Sequence, residues 1–207
     1  MDNQSASILY SKVVPGGKFV VYDQCPPISF FEVKQVHSNL IVSPNLNESP
    51  CEIQADGLVI YKNQPAPRNL AIKTADCLPI YISGKYGHAL IHAGWKGLAK
   101  KILIQSQLEK IEPEYAFIGP GILKCCYEVD DTFKENFNSE DSFSKKNHQL
   151  YFDLVEEASG QLQGHFPTIY LENCQICTHC NLNFHSFRRD QTINRNWNLF
   201  IVNVPNN

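Results

Sequence analysis

No apolar run in the 207-residue sequence approaches the roughly 18 residues that span a bilayer as a helix. Met1 to Tyr10 also lacks the basic and then apolar plan of a secretory signal. A membrane partner is not expected, and the expected location is cytoplasmic. An excess of charge of one sign is missing too: the formal net charge is -3, with a pI near 6.1. That provides no field for gathering nucleic acid, so a small molecule is the expected partner. Nothing in the composition suggests disorder or a fibrous repeat, since 43% of residues are hydrophobic and 19% charged.

The length fits a single domain, 1–207. Eight cysteines would suit a disulfide scaffold in a secreted chain; without an export signal they are expected to stay reduced, as core thiols, ligands or nucleophiles. Short apolar runs bounded by turn residues predict strands over 18–23, 30–36, 58–61, 69–74, 78–83, 88–93, 114–118, 168–172 and 198–204. Helical spacing is expected for Leu98, Ile102, Gln105 and Leu108, for Val129, Phe133 and Phe137, and for Leu154, Ala158 and Leu162. The charged, Ser-rich stretch 138–149 reads as a solvated loop. Strands and helices follow no regular βαβ rhythm, so an α+β domain with a mixed sheet is expected.

Chemistry concentrates between Thr74 and Gly97, where Cys77 ends one strand pattern and His92 the next; His37 ends another upstream. Two imidazoles and a thiolate suit a catalytic zinc with an open fourth position. The same Cys77 and His92 would also serve as nucleophile and base, with Asp76 or Gln35 as the orienting group. Cys174, Cys177 and Cys180 with His179 offer a second set for a structural metal, while the vicinal Cys125 and Cys126 suit packing better than a shared ion. Arg188, Arg189 and Arg195 are candidates for gripping a phosphate, against simple ion pairing of Arg189 with Asp190 or Glu128. Trp95, Tyr127 and Phe187 could stack on a base. A multicopper cluster is excluded, because the chain has seven histidines and no His-x-His pair.

The blocks Gln35-Val-His37, Ala55-Asp-Gly57, Thr74-Ala-Asp-Cys-Leu-Pro79, His92-Ala-Gly-Trp-Lys-Gly97, Ile118-Gly-Pro120, Cys126-Tyr-Glu-Val129, Cys177-Thr178 and Phe187-Arg-Arg-Asp190 occur in order. Together they resemble the laccase-domain family, once labelled multicopper polyphenol oxidoreductases and later recognised as purine nucleoside phosphorylases of the YfiH type. The resemblance implies a layered α/β/β/α domain with mixed β-sheets, similar to the toxin cysteine-deamidase fold. It implies Zn2+ on His37, Cys77 and His92. Its reactions would be phosphorolysis of purine nucleosides, methylthioadenosine included, by inorganic phosphate, and deamination of adenosine. Asp76 and Glu128 are the candidates for proton transfer to the base; Glu128 also stands with Arg188, Arg189 and Arg195 as a candidate for the substrate and phosphate site. A cysteine hydrolase or peptidoglycan-editing factor is the alternative, and a degenerate nucleoside-binding protein the third reading. Two departures mark this chain: Val14-Pro-Gly-Gly17 lacks the arginine usual in the family's N-terminal segment, and Asp190-Gln-Thr-Ile-Asn-Arg195 keeps an arginine where the flanking glycines are gone.

Overall fold

The computed structural model describes residues 5–44, 52–65 and 69–203. A six-stranded mixed sheet lies at its centre, built from β3 (Ile41–Val42), β4 (Gly57–Tyr61), β6 (Leu78–Gly84), β7 (Gly87–Ala93), β8 (Pro113–Ile118) and β12 (Tyr170–Asn173). Their spatial order is β12-β8-β6-β7-β4-β3; the two outermost pairs are parallel and the rest antiparallel. A four-stranded antiparallel sheet packs on one face. It contains β1 (Ile8–Val14), β2 (Gly17–Tyr22), β5 (Asn69–Thr74) and β13 (Asn196–Val202), in the order β1-β2-β13-β5.

The two faces of the central sheet follow from the period-two alternation of strand side chains. Ile80, Ile82, Ala89, Ile91, Ala116 and Ile118 point to one face. There they meet α1 (Trp95–Ala99), α2 (Ser106–Glu109) and α3 (Leu154–His165) through Leu98, Leu108, Ala158 and Leu162. Tyr81, Leu90 and Phe117 point to the other and meet Phe19, Val21, Leu70, Ile72 and Phe200 of the four-stranded sheet. The expected α+β class with mixed sheets is the one that forms.

Three local expectations are corrected. The stretch from Leu98 is not one helix. Lys101 takes a left-handed conformation (φ 59°) and splits it into α1, a 3-10 turn at Ile102–Ile104 and α2, yet Leu98, Ile102 and Leu108 are all buried as their spacing requires. The stretch 125–137 is not an α-helix: it forms a turn, then β9 (Glu128–Val129), then a 3-10 turn at Asp131–Asn136. Asp130 caps that turn by accepting from the Phe133 amide at 2.9 Å, the local side-chain bond that competes with a helix. Finally, 138–149 is not wholly loop. β10 (Phe143–Lys146) and β11 (Gln149–Phe152) form a hairpin about Asn147 and His148, both at positive φ, and β11 also pairs with β9.

Strand expectations hold more closely, at 69–74 to the residue. Between Phe30 and Val36 only isolated bridges at Phe31 and Lys34 form, although Phe31 and Val33 are buried on one face as expected. The expected turn-rich stretch 45–54 and loop 64–68 lie partly outside the described residues, as does the end of the strand expected at 198–204.

Phe200 seals the interface between the sheets, stacked on Tyr81 at 4.4 Å between ring centres and fully buried. Truncating such a ring usually costs about 3–5 kcal/mol. Phe200→Ala is expected to lower the unfolding free energy by that amount in urea titration, with the slope unchanged.

Candidate active site

His37, Cys77 and His92 come together as expected: one ligand atom from each lies within 4.8 Å of the others. Cys77 sits in the sharp passage from β5 to β6. His92 is the penultimate residue of β7, paired with Pro79 beside that passage. His37 reaches the same point from a loop, in a left-handed conformation (φ 58°). Its Nε2 is 4.0 Å from the Cys77 sulfur, and its ring meets the His92 ring edge-on at 4.8 Å.

Asp56 holds this arrangement, and no expectation singled it out beyond its block. Its carboxylate is fully buried. It accepts from the amides of Val36 (3.2 Å), His37 (3.0 Å) and Ser38 (2.6 Å), from the Ser38 hydroxyl (2.8 Å) and from His92 Nδ1 (2.8 Å). The three successive amides explain the left-handed turn at His37, because that conformation aims neighbouring N–H groups at one anion. Since Nδ1 donates to Asp56, Nε2 is the nitrogen of His92 on the side where Cys77 lies, and it has a lone pair for a metal once the ring is neutral. This carboxylate–histidine relay fixes the tautomer that a metal-binding histidine needs.

The electrostatics agree. Burial works against ionising Cys77, but the charge of His92 and hydrogen bonds from both histidines prevail and bring the thiol down to about 6. Burial likewise opposes charge on His92, yet Cys77 and Asp56 raise it to about 9. For Asp56 the burial penalty is outweighed by His92 and Ser38, and its carboxyl falls to about 2. Without a cation, each group therefore favours the charged form of the other, and the pair leans toward thiolate and imidazolium. One potential thiolate, two imidazoles and a buried carboxylate behind one of them fit a borderline-soft divalent ion such as zinc.

The site opens into a cavity of about 660 Å³. Trp95, Tyr127 and Phe187 all line it, as do Lys73, Arg188 and Arg195. The Arg188 guanidinium lies 5.0 Å above the Tyr127 ring and donates to the Glu128 carbonyl at 2.8 Å. Asp76 also lines the cavity, but both of its oxygens are engaged, by the Thr178 hydroxyl at 2.8 Å and the Arg188 amide at 2.6 Å. Arg189 is turned away: it donates to the carbonyls of Thr178, His179 and Phe184 and pairs with Asp190. The Glu128 side chain accepts from Gln149 and is not among the lining residues. Gln35 lines the cavity with its amide spent on both backbone groups of Lys73, so the orienting group behind His92 is Asp56, not Gln35 or Asp76.

Two outcomes follow. Asp56→Asn places an amide against three backbone N–H groups. It is expected to weaken metal binding about 10- to 100-fold, measured by competition with a chromogenic chelator. The depressed Asp56 carboxyl contributes on the order of 2 kcal/mol of stability above the ordinary aspartate range, lost as pH falls from about 4 toward 2. The acid limb of a stability–pH curve should therefore flatten in Asp56→Asn. Gly94 is the second case: a Cβ there would stand 2.7 Å from the Cys77 sulfur. In metal-free protein, Cys77 alkylation is expected to rise through about pH 6, and Gly94→Ala, by displacing the sulfur from the histidines, should move that midpoint upward.

Known proteins resemble the chain in sequence and in fold. A purine nucleoside phosphorylase of Aquifex aeolicus is 37% identical over 133 residues, covering 61% of this chain and 62% of that protein. One of Rickettsia conorii is 35% identical over 133 residues, covering 60% of this chain and 52% of its own. These alignments thus span between half and two thirds of those relatives. A purine nucleoside phosphorylase of Haemophilus influenzae is 31% identical over 178 residues, covering 78% of this chain and 69% of that one. Among solved structures, YlmD of Geobacillus stearothermophilus superposes with a TM-score of 0.72 at 29% identity, over 84% of this chain and 74% of that one. The Neisseria meningitidis protein NMB0706 shares the fold, with a TM-score of 0.79 at 18% identity over 97% of this chain and 100% of its own. The family model described as multi-copper polyphenol oxidoreductase laccase matches residues 21–203, and the chain belongs to that family.

Proposed function

We propose that this protein is a zinc-dependent purine nucleoside phosphorylase, acting on purine nucleosides and inorganic phosphate. The observation that carries the reading is the single cavity joining His37, Cys77 and His92 to three aromatic walls and two arginines. Its volume is in the range of small-molecule sites. Relatives named purine nucleoside phosphorylase support the substrate class.

Bound at His37, Cys77 and His92, zinc supplies Lewis acidity at an oxygen. The chain's own residues do the rest. Trp95, Tyr127 and Phe187 receive the flat faces of a purine. Burial keeps the Tyr127 phenol protonated, so it is a neutral wall beneath the Arg188 cation. Arg188 and Arg195, each with one guanidinium nitrogen already on backbone carbonyls, offer the remaining N–H groups for phosphate oxygens, while Lys73 beside them pairs with Glu32 at 2.7 Å. Arg189 holds the Thr178 and His179 carbonyls, and Asp76 positions Arg188 through its amide, rather than either meeting phosphate first. In the reaction a phosphate oxygen bonds to the anomeric carbon, the glycosidic bond breaks with its electron pair on the base, and the base takes up the proton that hydrogen phosphate gives up. Deamination of adenosine would use the same cavity with water in place of phosphate.

A second reading rests on a specific observation: Cys77, His92 and Asp56 stand in the order nucleophile, base and orienting carboxylate. That geometry serves a cysteine hydrolase on amide or muropeptide substrates.

The assay is release of hypoxanthine from inosine. Turnover is expected only with phosphate present, to fall on chelation and to return with zinc; ammonia release from adenosine tests deamination. Arg188→Ala should raise the KM for phosphate about 10- to 100-fold, the usual value of a hydrogen bond to a charged group. Activity on an amide that survives chelation and disappears on alkylating Cys77 would replace this reading with the hydrolase. Stabilisation by nucleosides with no turnover of any would leave a binding protein.

A further inference from the structure

Away from the cavity's histidines, four cysteines from two distant segments converge. Cys125 and Cys126 lie in the turn before β9; Cys177 and Cys180 lie in the turn after β12. All four sulfurs are within 4.8 Å of one another. The Cys180 sulfur is 3.7 Å from that of Cys125 and 3.2 Å from that of Cys126. Four thiolates at about 2.3 Å around a tetrahedral ion would be separated by about 3.8 Å, which matches the scale of this cluster. A disulfide is a poorer description, since it joins two sulfurs at about 2.0 Å and leaves the other pair crowded against it.

The backbone is arranged for sulfur that carries charge. The Leu123 amide donates to the Cys177 sulfur at 3.5 Å, and the amides of His179 and Cys180 are directed at the same atom. Such N–H groups around a thiolate are the second-shell support that metal-bound cysteines use. Cys174, by contrast, packs against the core between the two sheets and is not among the sulfurs that converge. The expected set of Cys174, Cys177 and Cys180 with His179 is therefore replaced by one from two turns.

We propose that Cys125, Cys126, Cys177 and Cys180 form a second, structural zinc site with no open position. The site would lock the segment 119–127 to the segment 174–180. Those segments already share two main-chain bonds, Gly121 N–H to the Ile176 carbonyl at 3.2 Å and Thr178 N–H to the Gly121 carbonyl at 3.0 Å. Between them they carry Ile122 and Tyr127 of the cavity wall and Thr178, which holds Asp76. The ion would thus fix the wall without touching a substrate.

The test uses the full chain carrying Cys77→Ala, so that the other group contributes no thiolate. Under reducing conditions, cobalt(II) added to the metal-free protein should bind with a stoichiometry of one. It should give the intense thiolate-to-metal absorption and visible bands of a tetrahedral four-sulfur site, displaced by zinc. Adding Cys126→Ser and Cys180→Ser should abolish both and lower Tm. Should that variant fail to fold, native mass spectrometry of the Cys77→Ala protein still counts the bound zinc. Free alkylation of Cys125, Cys126, Cys177 and Cys180 themselves in the presence of equimolar zinc would overturn the proposal. So would a mass 2 Da lower under denaturing conditions, reporting a disulfide in place of the ion. Phosphorolysis is not the readout, so the outcome stands apart from the assignment of the cavity.

Discussion

The buried carboxylate of Asp56 is the constraint on which the site depends. A charge taken fully out of water is costly unless its lone pairs are filled, and here five donors fill them. Four belong to the 36–38 loop and one to His92 on β7. Satisfying the carboxylate therefore settles the left-handed turn at His37, the orientation of the His92 ring and the nitrogen that faces Cys77. The main chain adds to this, since the Asp56 carbonyl accepts from the His92 amide at 2.7 Å. The ring and its strand are thus held by the same residue, and the geometry does not rely on the exposed side chain of His37.

Asp76 works in the same manner on the other side of Cys77. It sits at φ 90°, an unfavourable conformation for a residue with a Cβ. Its carbonyl accepts from the Ile122 amide, while its carboxylate takes the Thr178 hydroxyl and the Arg188 amide. The turn at Ile122 and the stretch from Thr178 to Arg188 are thereby gathered at one residue beside the sulfur. Arg189 completes this layer from behind by donating to three carbonyls. Adjacent arginines thereby divide: one is consumed by the fold, while its neighbour faces the cavity over Tyr127.

The parts of this structure that depend on local periodicity were legible in the sequence. The strands at 69–74, 78–83 and 88–93 follow from apolar runs closed by turn residues. The burial of Leu98, Ile102 and Leu108 was legible too, but the single helix that such spacing suggests was not there, because the left-handed conformation of Lys101 interrupts it. Likewise Phe133 and Phe137 enter an aromatic cluster, packing on Phe152 at 5.1 and 4.5 Å, from a 3-10 turn and its flank rather than from an α-helix. Spacing reports which side chains share a face; it does not report a backbone whose turn is set by a capping aspartate. The two histidines and the thiol were legible as residue types with metal chemistry. Asp56 was not, because its role is played through backbone amides that only the fold brings to it. Its sole trace was the Ala55-Asp-Gly57 block. The four-cysteine cluster was legible only in part: its halves lie more than 50 residues apart, and while the 174–180 half suggested a structural metal, Cys125 and Cys126 alone suggested packing.

The two sulfur-containing clusters differ in what an ion could do at each. Around a divalent cation, two neutral imidazoles and one thiolate leave a net charge of about +1 and a free position, the conditions under which a bound oxygen is polarised. Four thiolates would leave about -2 and no free position, which suppresses Lewis acidity and favours rigidity. The surroundings follow the same division. His37, Cys77 and His92 face an open cavity with aromatic and basic walls, whereas the Cys177 sulfur is buried and ringed by backbone amides. Tyr127 adjoins both, following Cys126 in sequence and lining the cavity under Arg188. A shift of the cysteine turn would therefore be felt at the cavity as a displaced ring and a displaced guanidinium, with no change in the His37, Cys77 and His92 ligand set itself.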